Sequence, residues 1–373
     1  MALSAIFFRK NMRTTILIEL SEGCNLDCSY CLQDKRSTDS LTLETFKKSF
    51  NVALARIDAN NCTGLDLHFY GGEPLLYFPL IKDITAFLKS LYFFNSMNEL
   101  QYSTDKKANS LDIDIAFVMP TNLLALTNEK ADFLIENKVS ISFSHDGLNQ
   151  YNRPLLNGQS SIPIYDEKTE RIKSFIKRAQ DNGVGFKIHS MIFPYFKILD
   201  NFNFLYEKFG VKPEFNIVKD HGVWDEDSLP HIINELEILL DNSLKTGIIH
   251  PYFVSGIHKI FQYKVDGFTS NCGAGFNNFS ILDNGEVKAC ERLKGEDDVE
   301  LLQYLDHPKC RVCPIRNYCN KGCPFETSKK GLVPLCDYYL RYFNICLELI
   351  ELVKTKPKML TQLKDNLKSI ITS

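Results

Sequence analysis

No apolar run in this sequence approaches the length of a membrane span, about 18 residues or more, so no transmembrane helix is expected. Charge of one sign is also missing. Lysine and arginine number 43 against 46 aspartate and glutamate, a formal net charge of −3, so there is no global attraction to nucleic acid or to an anionic membrane. The amino terminus, MALSAIFFRKNMR, lacks the order of a secretory signal, because its short apolar patch precedes the basic residues. Internal repeats and low-complexity segments are absent. Together these absences predict a cytoplasmic, globular protein with no nucleic-acid or membrane partner.

Against that background the cysteines are conspicuous. There are 12 in 373 residues, in a chain whose 44% hydrophobic content needs no covalent staple to build a core. In a reducing compartment disulfides are rare, which turns attention to metal or cluster ligation. Cys24, Cys28 and Cys31 lie together near the amino terminus, and seven more lie between positions 272 and 336. Cys62 and Cys346 stand apart and read as small buried hydrophobes.

The first 220 residues alternate β-branched runs with amphipathic stretches. Strands are predicted at Thr15–Leu20, Leu65–Tyr70, Ile113–Met119, Ser140–Phe143, Phe186–Ile192 and Glu214–Val218. Helices are predicted between them at Thr42–Arg56, Ile81–Leu91, Glu129–Asn137, Lys168–Asn182 and Asn201–Phe209. Such alternation implies right-handed crossovers and a parallel sheet. Six strands suggest an α/β partial (β/α)6 TIM-like barrel, with its chemistry at the carboxyl ends of the strands. A helical connector over 226–270 follows, including a helix at Ser228–Leu244. The stretch FSILDNGEVKAC then reads as a β-hairpin around Asp283-Asn284-Gly285. A cysteine-rich stretch with little periodicity and a C-terminal helix, Asp337–Val353, with a lysine-rich tail end the chain. The domain boundaries expected are 1–225, 226–270, 271–345 and 346–373.

Directly after the first strand comes CNLDCSYC, residues 24–31. Three thiolates are a poor set for disulfides and one short of a closed zinc site. They suit three irons of a 4Fe–4S cubane, with the fourth iron left for a small chelating molecule. The Cys-x3-Cys-x2-Cys spacing, with Tyr30 before the last cysteine, resembles the signature of the radical S-adenosylmethionine (SAM) superfamily. The resemblance implies that SAM binds the open iron through its amino and carboxylate groups and that Tyr30 lies against the adenine. One βα unit later, Gly71-Gly72-Glu73-Pro74 resembles the GGE motif of that superfamily, in which a carboxylate meets the methionine ammonium. Asn122 in MPTNLLAL, and Ser144, Asp146 and Arg153 in SHDGLNQYNR, resemble further SAM-contacting segments. Leu123 departs from the pattern, which has glycine there. Loop capping is the plain alternative for these last residues.

The later cysteines, Cys272, Cys290, Cys310, Cys313, Cys319, Cys323 and Cys336, are similar in spacing to the seven-cysteine SPASM domain, which holds two auxiliary 4Fe–4S clusters. Carried over, Cys272, Cys290 and Cys323 would hold the first and Cys310, Cys313, Cys319 and Cys336 the second, making three clusters in all. Sulfatase-maturating enzymes of this kind have an eighth cysteine where this chain has Asn278. Glu291, directly after Cys290, stands where those enzymes carry a carboxylate thought to accept a proton from substrate. A solvated glutamate balancing Arg292 is the alternative.

The resemblance implies a peptide maturase that oxidises a ribosomally made precursor peptide by two electrons, forming a carbon–carbon or thioether crosslink. Formylglycine generation in a sulfatase is the alternative reaction, and a non-catalytic iron–sulfur or zinc-binding protein the alternative of another class. Expected partners are the precursor peptide and a flavodoxin- or ferredoxin-like electron donor, the latter facing Lys309, Arg311, Arg316, Lys321, Lys329 and Lys330. A separate leader-binding protein is a further expected partner, since no winged-helix module precedes the first strand.

Overall fold

The computed structural model describes residues 12–31, 33–57, 62–94, 100–102, 114–218, 222–266, 274, 277–294, 308–319 and 335–372. Six parallel strands form its centre: β1 (Met12–Glu19), β2 (Cys62–Tyr70), β5 (Asp114–Thr121), β6 (Ser140–Ser144), β7 (Phe186–Ile192) and β8 (Pro213–Ile217). Helices α1 (Leu43–Arg56), α2 (Phe78–Leu91), α3 (Asn128–Glu136), α4 (Ile162–Asp181) and α5 (Ile198–Phe209) return the chain between them. The sheet is an open one, consistent with a partial TIM barrel, and all six expected strands are present within a few residues. Helix α4 starts six residues before its predicted beginning, because Pro163 is tolerated in a first turn whose amide has no helical partner.

Two strands extend the sheet past β1. β9 (Asn278–Ile281) runs parallel to β1, with Thr15 opposite Asn278, and β10 (Val287–Lys288) pairs antiparallel with β9. The predicted hairpin therefore forms, and it docks on the barrel edge. Its turn is closed by Gly285 N donating to Leu282 O at 2.8 Å, and Ser49 of α1 donates to Gly285 O at 2.6 Å. A small hairpin between α2 and β5, made by β3 (Tyr92–Phe94) and β4 (Leu100–Tyr102), had no counterpart in the sequence reading.

Alternation along the strands sorts the side chains. Ile16 and Ile18 of β1, Leu67 and Phe69 of β2, and Phe143 of β6 are fully buried against α1–α4. Each such side chain is worth about 1.5–3 kcal/mol of burial. A second core joins β7 and β8 to α5, α6 (Ser228–Thr246), α7 (Pro251–Asp266), α8 (Cys336–Val353) and α9 (Pro357–Thr372). The lysine-rich tail is thus a helix. Its Met359, Leu363 and Leu367 recur four apart and are buried, while the lysines occupy the other faces. Helix α8 runs unbroken across the boundary expected at 345/346. Among the described residues no helix is long and apolar enough to cross a membrane.

Candidate active site

The loop after β1 is held by backbone bonds to distant segments. Cys24 N donates to Lys35 O at 3.0 Å, Asp27 N to Pro154 O at 2.7 Å, and Ser29 N to Asn152 O at 3.0 Å. Lys35 Nζ bonds both Asp27 Oδ1 and Cys28 O at 2.8 Å. Cys24, Cys28 and Cys31 are free thiols, Cys28 buried and the others half-buried, and all three line one cavity of about 480 Å³. Burial pushes the Cys24 thiol up to about 12, and it raises Cys28 as well, with the Arg153 charge pulling the latter back. A bound cation would offset this cost for the thiolates of Cys24 and Cys28.

The GGE loop packs against this loop. Gly72 N donates to Ser21 O at 2.8 Å and Glu73 N to Gly23 O at 3.0 Å. A Cβ on Gly72 would stand 2.1 Å from Gly23 O, and one on Gly71, at φ +134°, would stand 2.0 Å from Ser21 O. The glycines bring backbone to backbone, and this contact alone requires them. Glu73, expected to meet a ligand's ammonium, lines the cavity, but its carboxylate is already engaged. Oε1 accepts from Thr121 Oγ1 at 2.6 Å and Leu75 N at 3.0 Å, and Oε2 accepts from Asn122 N at 2.7 Å. Glu73 is 1% exposed, and burial raises its carboxyl while these donors pull it back. Pro74 opens the short 3-10 turn Pro74–Tyr77 and lies buried behind the cavity wall.

Asn122 also lines the cavity, and Leu123 behind it holds φ +60° while fully buried. The left-handed conformation for which the resembling motif uses glycine is therefore kept with leucine, at a cost of about 1–2 kcal/mol. Ser144, at the end of β6, lines the cavity with its neighbour by register, His189 of β7. Asp146 does not line it. Fully buried, Asp146 sits behind Tyr30, accepting from the Tyr30 hydroxyl at 2.7 Å and from Met191 N at 3.0 Å. Arg153 Nη1 donates to the same Tyr30 oxygen at 2.7 Å. Tyr30 thus reaches the cavity as a ring held from behind, packed on Phe193 at 5.0 Å. Arg153 is 7% exposed and lines the cavity, and its buried Nε has no partner.

Residues beyond β10 also reach the cavity. Glu291, Arg292 and Lys294 line the cavity together with Glu22, Gln33 and Tyr70. The Cys290 thiol lies 3.2 Å from Glu291 Oε2. Lys294 Nζ spans Asp283 Oδ1 at 2.8 Å and Glu22 Oε2 at 3.2 Å, fixing this segment to the loop after β1. The sequence reading missed Tyr70, His189, Met191 and Lys294. Tyr70 directly precedes the GGE motif and was within reach; the others carry no local signal. Burial keeps His189 neutral, and Asn216 Nδ2 lies 2.6 Å from its Nε2, so the ring proton sits on Nδ1.

Of the later cysteines, Cys272 and Cys323 lie outside the described residues, as do Lys321, Lys329 and Lys330. Cys336 opens α8, and its thiol is raised by burial and by the nearby Cys310 and Cys313. Cys319 N bonds Ile315 O at 2.9 Å. Asn278 is taken into β9. Cys62 and Cys346 are buried, with Cys346 Sγ 3.7 Å from Phe253 O, as expected of ordinary core residues.

Among the described residues no three His, Cys, Asp or Glu side chains converge on a point that would hold one metal ion. A cubane binds each cysteine through a different iron, so its ligands stand further apart than those of a single ion. Three free thiols lining one cavity supply the donor chemistry that such a cluster needs.

With this geometry in place, comparison with known proteins gives a consistent result. Residues 18–199 match the Radical SAM superfamily. A cysteine-type anaerobic sulfatase-maturating enzyme of Clostridium perfringens is 23% identical over 373 residues, covering 87% of this chain and 93% of that one. An uncharacterised protein of Methanocaldococcus jannaschii is 26% identical over 148 residues, which are 39% of this chain and 44% of that relative's length. The solved structure of native anSMEcpe with bound AdoMet and Cp18Cys peptide superposes with a TM-score of 0.65 at 18% identity, over 95% of this chain and 99% of that one. Residues 18–199 thus form a radical SAM domain, and the chain is an enzyme. The reading as a non-catalytic iron–sulfur or zinc-binding protein is set aside.

Proposed function

We propose that this enzyme binds SAM and a 4Fe–4S cluster in the cavity and oxidises a side chain of a peptide substrate, forming an intramolecular carbon–carbon or thioether crosslink. The observation that carries the reading is one cavity lined by Cys24, Cys28 and Cys31 and by Glu291. Cys24, Cys28 and Cys31 would hold the cluster. Cys310, Cys313, Cys319 and Cys336 would hold one auxiliary cluster, and Cys290 would take part in another. Bound there, the cluster and SAM supply a carbon radical able to remove hydrogen from an unactivated carbon.

The chain's own groups do the rest. The Arg153 guanidinium, which lines the cavity, would donate to a carboxylate of the bound cofactor. The Ser144 hydroxyl, also lining the cavity, suits a carboxylate or a ribose hydroxyl. Tyr30, held by Asp146 and Arg153, presents a fixed face to the adenine. Oxidation of the substrate side chain would release a proton, and the Glu291 carboxylate, which lines the cavity, would take it. Lys309, Arg311 and Arg316 offer a basic approach for a flavodoxin- or ferredoxin-like donor.

A second reading, formylglycine formation, draws support from the sulfatase-maturating relative. Anaerobically reconstituted protein should contain about twelve iron atoms per chain and cleave SAM to 5′-deoxyadenosine on reduction. Absence of cleavage from iron-replete protein would sink the proposal. Mass spectrometry of a co-expressed candidate peptide separates the two reactions. A crosslink removes two hydrogens and keeps every heavy atom, whereas conversion of cysteine to formylglycine exchanges sulfur for oxygen.

A further inference from the structure

The turn after β5 is more tightly built than ligand contact requires. Every polar atom of Asn122 is engaged within the protein. Its N donates to Glu73 Oε2 at 2.7 Å, its O accepts from Tyr165 Oη at 2.9 Å, and its Oδ1 accepts from Leu124 N at 2.9 Å. Its Nδ2 donates to Asn25 Oδ1 at 2.6 Å and lies 4.0 Å from Cys24 Sγ. Asn25 directly follows the first cysteine of the trio. The Leu26 amide also approaches Cys24 Sγ, at 3.4 Å.

The strained Leu123 belongs to this arrangement. With Leu123 left-handed, Leu124 N donates to Asn122 Oδ1, and Leu123 N itself bonds Thr121 Oγ1 at 3.0 Å. Strain kept at a buried turn marks a conformation that the surroundings enforce. Here it orients one carboxamide, with its oxygen turned to the β5 turn and its nitrogen turned to the cysteine loop.

We propose that Asn122, locked to Asn25, is a positioning residue for the site cluster: its side-chain N–H acts on the Cys24 sulfur and raises the cluster's reduction potential. Once ligated, the Cys24 sulfur only accepts hydrogen bonds, so the Leu26 and Asn122 donors both face it. Donors to a ligating sulfur favour the more negative, reduced cluster. The step concerned is the uptake of one electron from an added chemical reductant, with no bond made or broken at Cys24. The inference rests on the proposed cluster at Cys24, Cys28 and Cys31.

The test is a redox titration of the full-length reconstituted enzyme followed by electron paramagnetic resonance. The site cluster is identified as the signal that changes when SAM is added. Asn122→Ala should keep its iron and shift that midpoint to more negative potential. Asn25→Ala, which lies outside the strained turn and frees the same amide, should shift it in the same direction. The double variant should shift no further than Asn122→Ala alone, because the two side chains act as one unit. A wild-type midpoint in iron-replete Asn122→Ala would overturn the proposal. If that variant fails to fold, a wild-type midpoint in Asn25→Ala overturns it equally. Wild-type protein with no SAM-responsive signal would instead refute the cluster assignment itself, so the two failures are distinguishable.

Discussion

Tyr30 and Asp146 lie 116 residues apart and share a hydrogen bond of 2.7 Å from phenol to carboxylate, behind the cavity wall. The same phenol oxygen accepts from Arg153, so one hydroxyl joins a buried anion to a buried cation. Tyr30→Phe removes both bonds and leaves Arg153 and Asp146 facing each other at 4.0 Å. A loss of about 1–3 kcal/mol in unfolding free energy is expected from these unsatisfied groups, with weaker SAM binding in equilibrium titration. Unchanged stability and affinity would mean that the phenol does not hold the ring.

Gly72→Ala places a methyl group where Gly23 O already stands. Backbone atoms are the obstacle, so the cysteine loop must move. The variant should fold, with the circular dichroism of the wild type, but should retain less iron after reconstitution. Full iron content would show that the loop tolerates the shift.

Glu19, at the end of β1, is 1% exposed and accepts from Asp283 N at 3.3 Å. Burial pushes its carboxyl up to about 7, with Asp283 and Glu22 adding to the rise and two hydrogen bonds opposing it. The folded state keeps a proton that the unfolded chain gives up near pH 4.5. Stability from this group is therefore complete below about pH 4.5 and is lost as pH rises through about 7. Glu19→Gln should remove that loss, worth about 3 kcal/mol at most. Urea unfolding of both proteins at pH 5 and pH 8 reads the difference, and an equal pH response in the two would contradict the assignment.

Lys294→Met leaves the Asp283 carboxylate, 3% exposed, without its counter-charge. A destabilisation of about 1–3 kcal/mol is expected, most of it recovered when Asp283→Asn is added. Additive losses in this double-mutant cycle would show that Lys294 and Asp283 do not act as a pair.

Part of this molecule was legible before any coordinates. The six barrel strands announce themselves by β-branched runs between amphipathic helices, because burial on one face and exposure on the other impose a period on the residues. The hairpin at Asp283-Asn284-Gly285 is equally local. Helix α9 was missed because polar residues outnumber apolar ones in it, and Met359, Leu363 and Leu367 form only a narrow apolar stripe. The β3–β4 hairpin has no turn signature strong enough to read.

At the site, the cysteine trio and the GGE motif were visible as spacing, and spacing survives folding when the ligands share one loop. The partners of Glu73, Asp146 and Asn122 were not visible. Each was expected to face a ligand, and each instead has its side-chain hydrogen bonds taken up by neighbouring loops. Hydrogen bonds between segments 45 to 116 residues apart depend on how strand ends meet in the sheet, which no local pattern encodes.

The amino-acid sequence by itself pointed to the class of chemistry: three thiols in one short loop, in a spacing that resembles the radical SAM signature, within the residues that match that superfamily. Tertiary structure alone decided which groups attend that loop. Parallel pairing of β9 with β1 carries Glu291 and Lys294 to the cavity from the far end of the chain, and close backbone packing makes Gly71 and Gly72 obligatory. Proximity across the sheet, set by packing and not by order along the chain, is the physical reason.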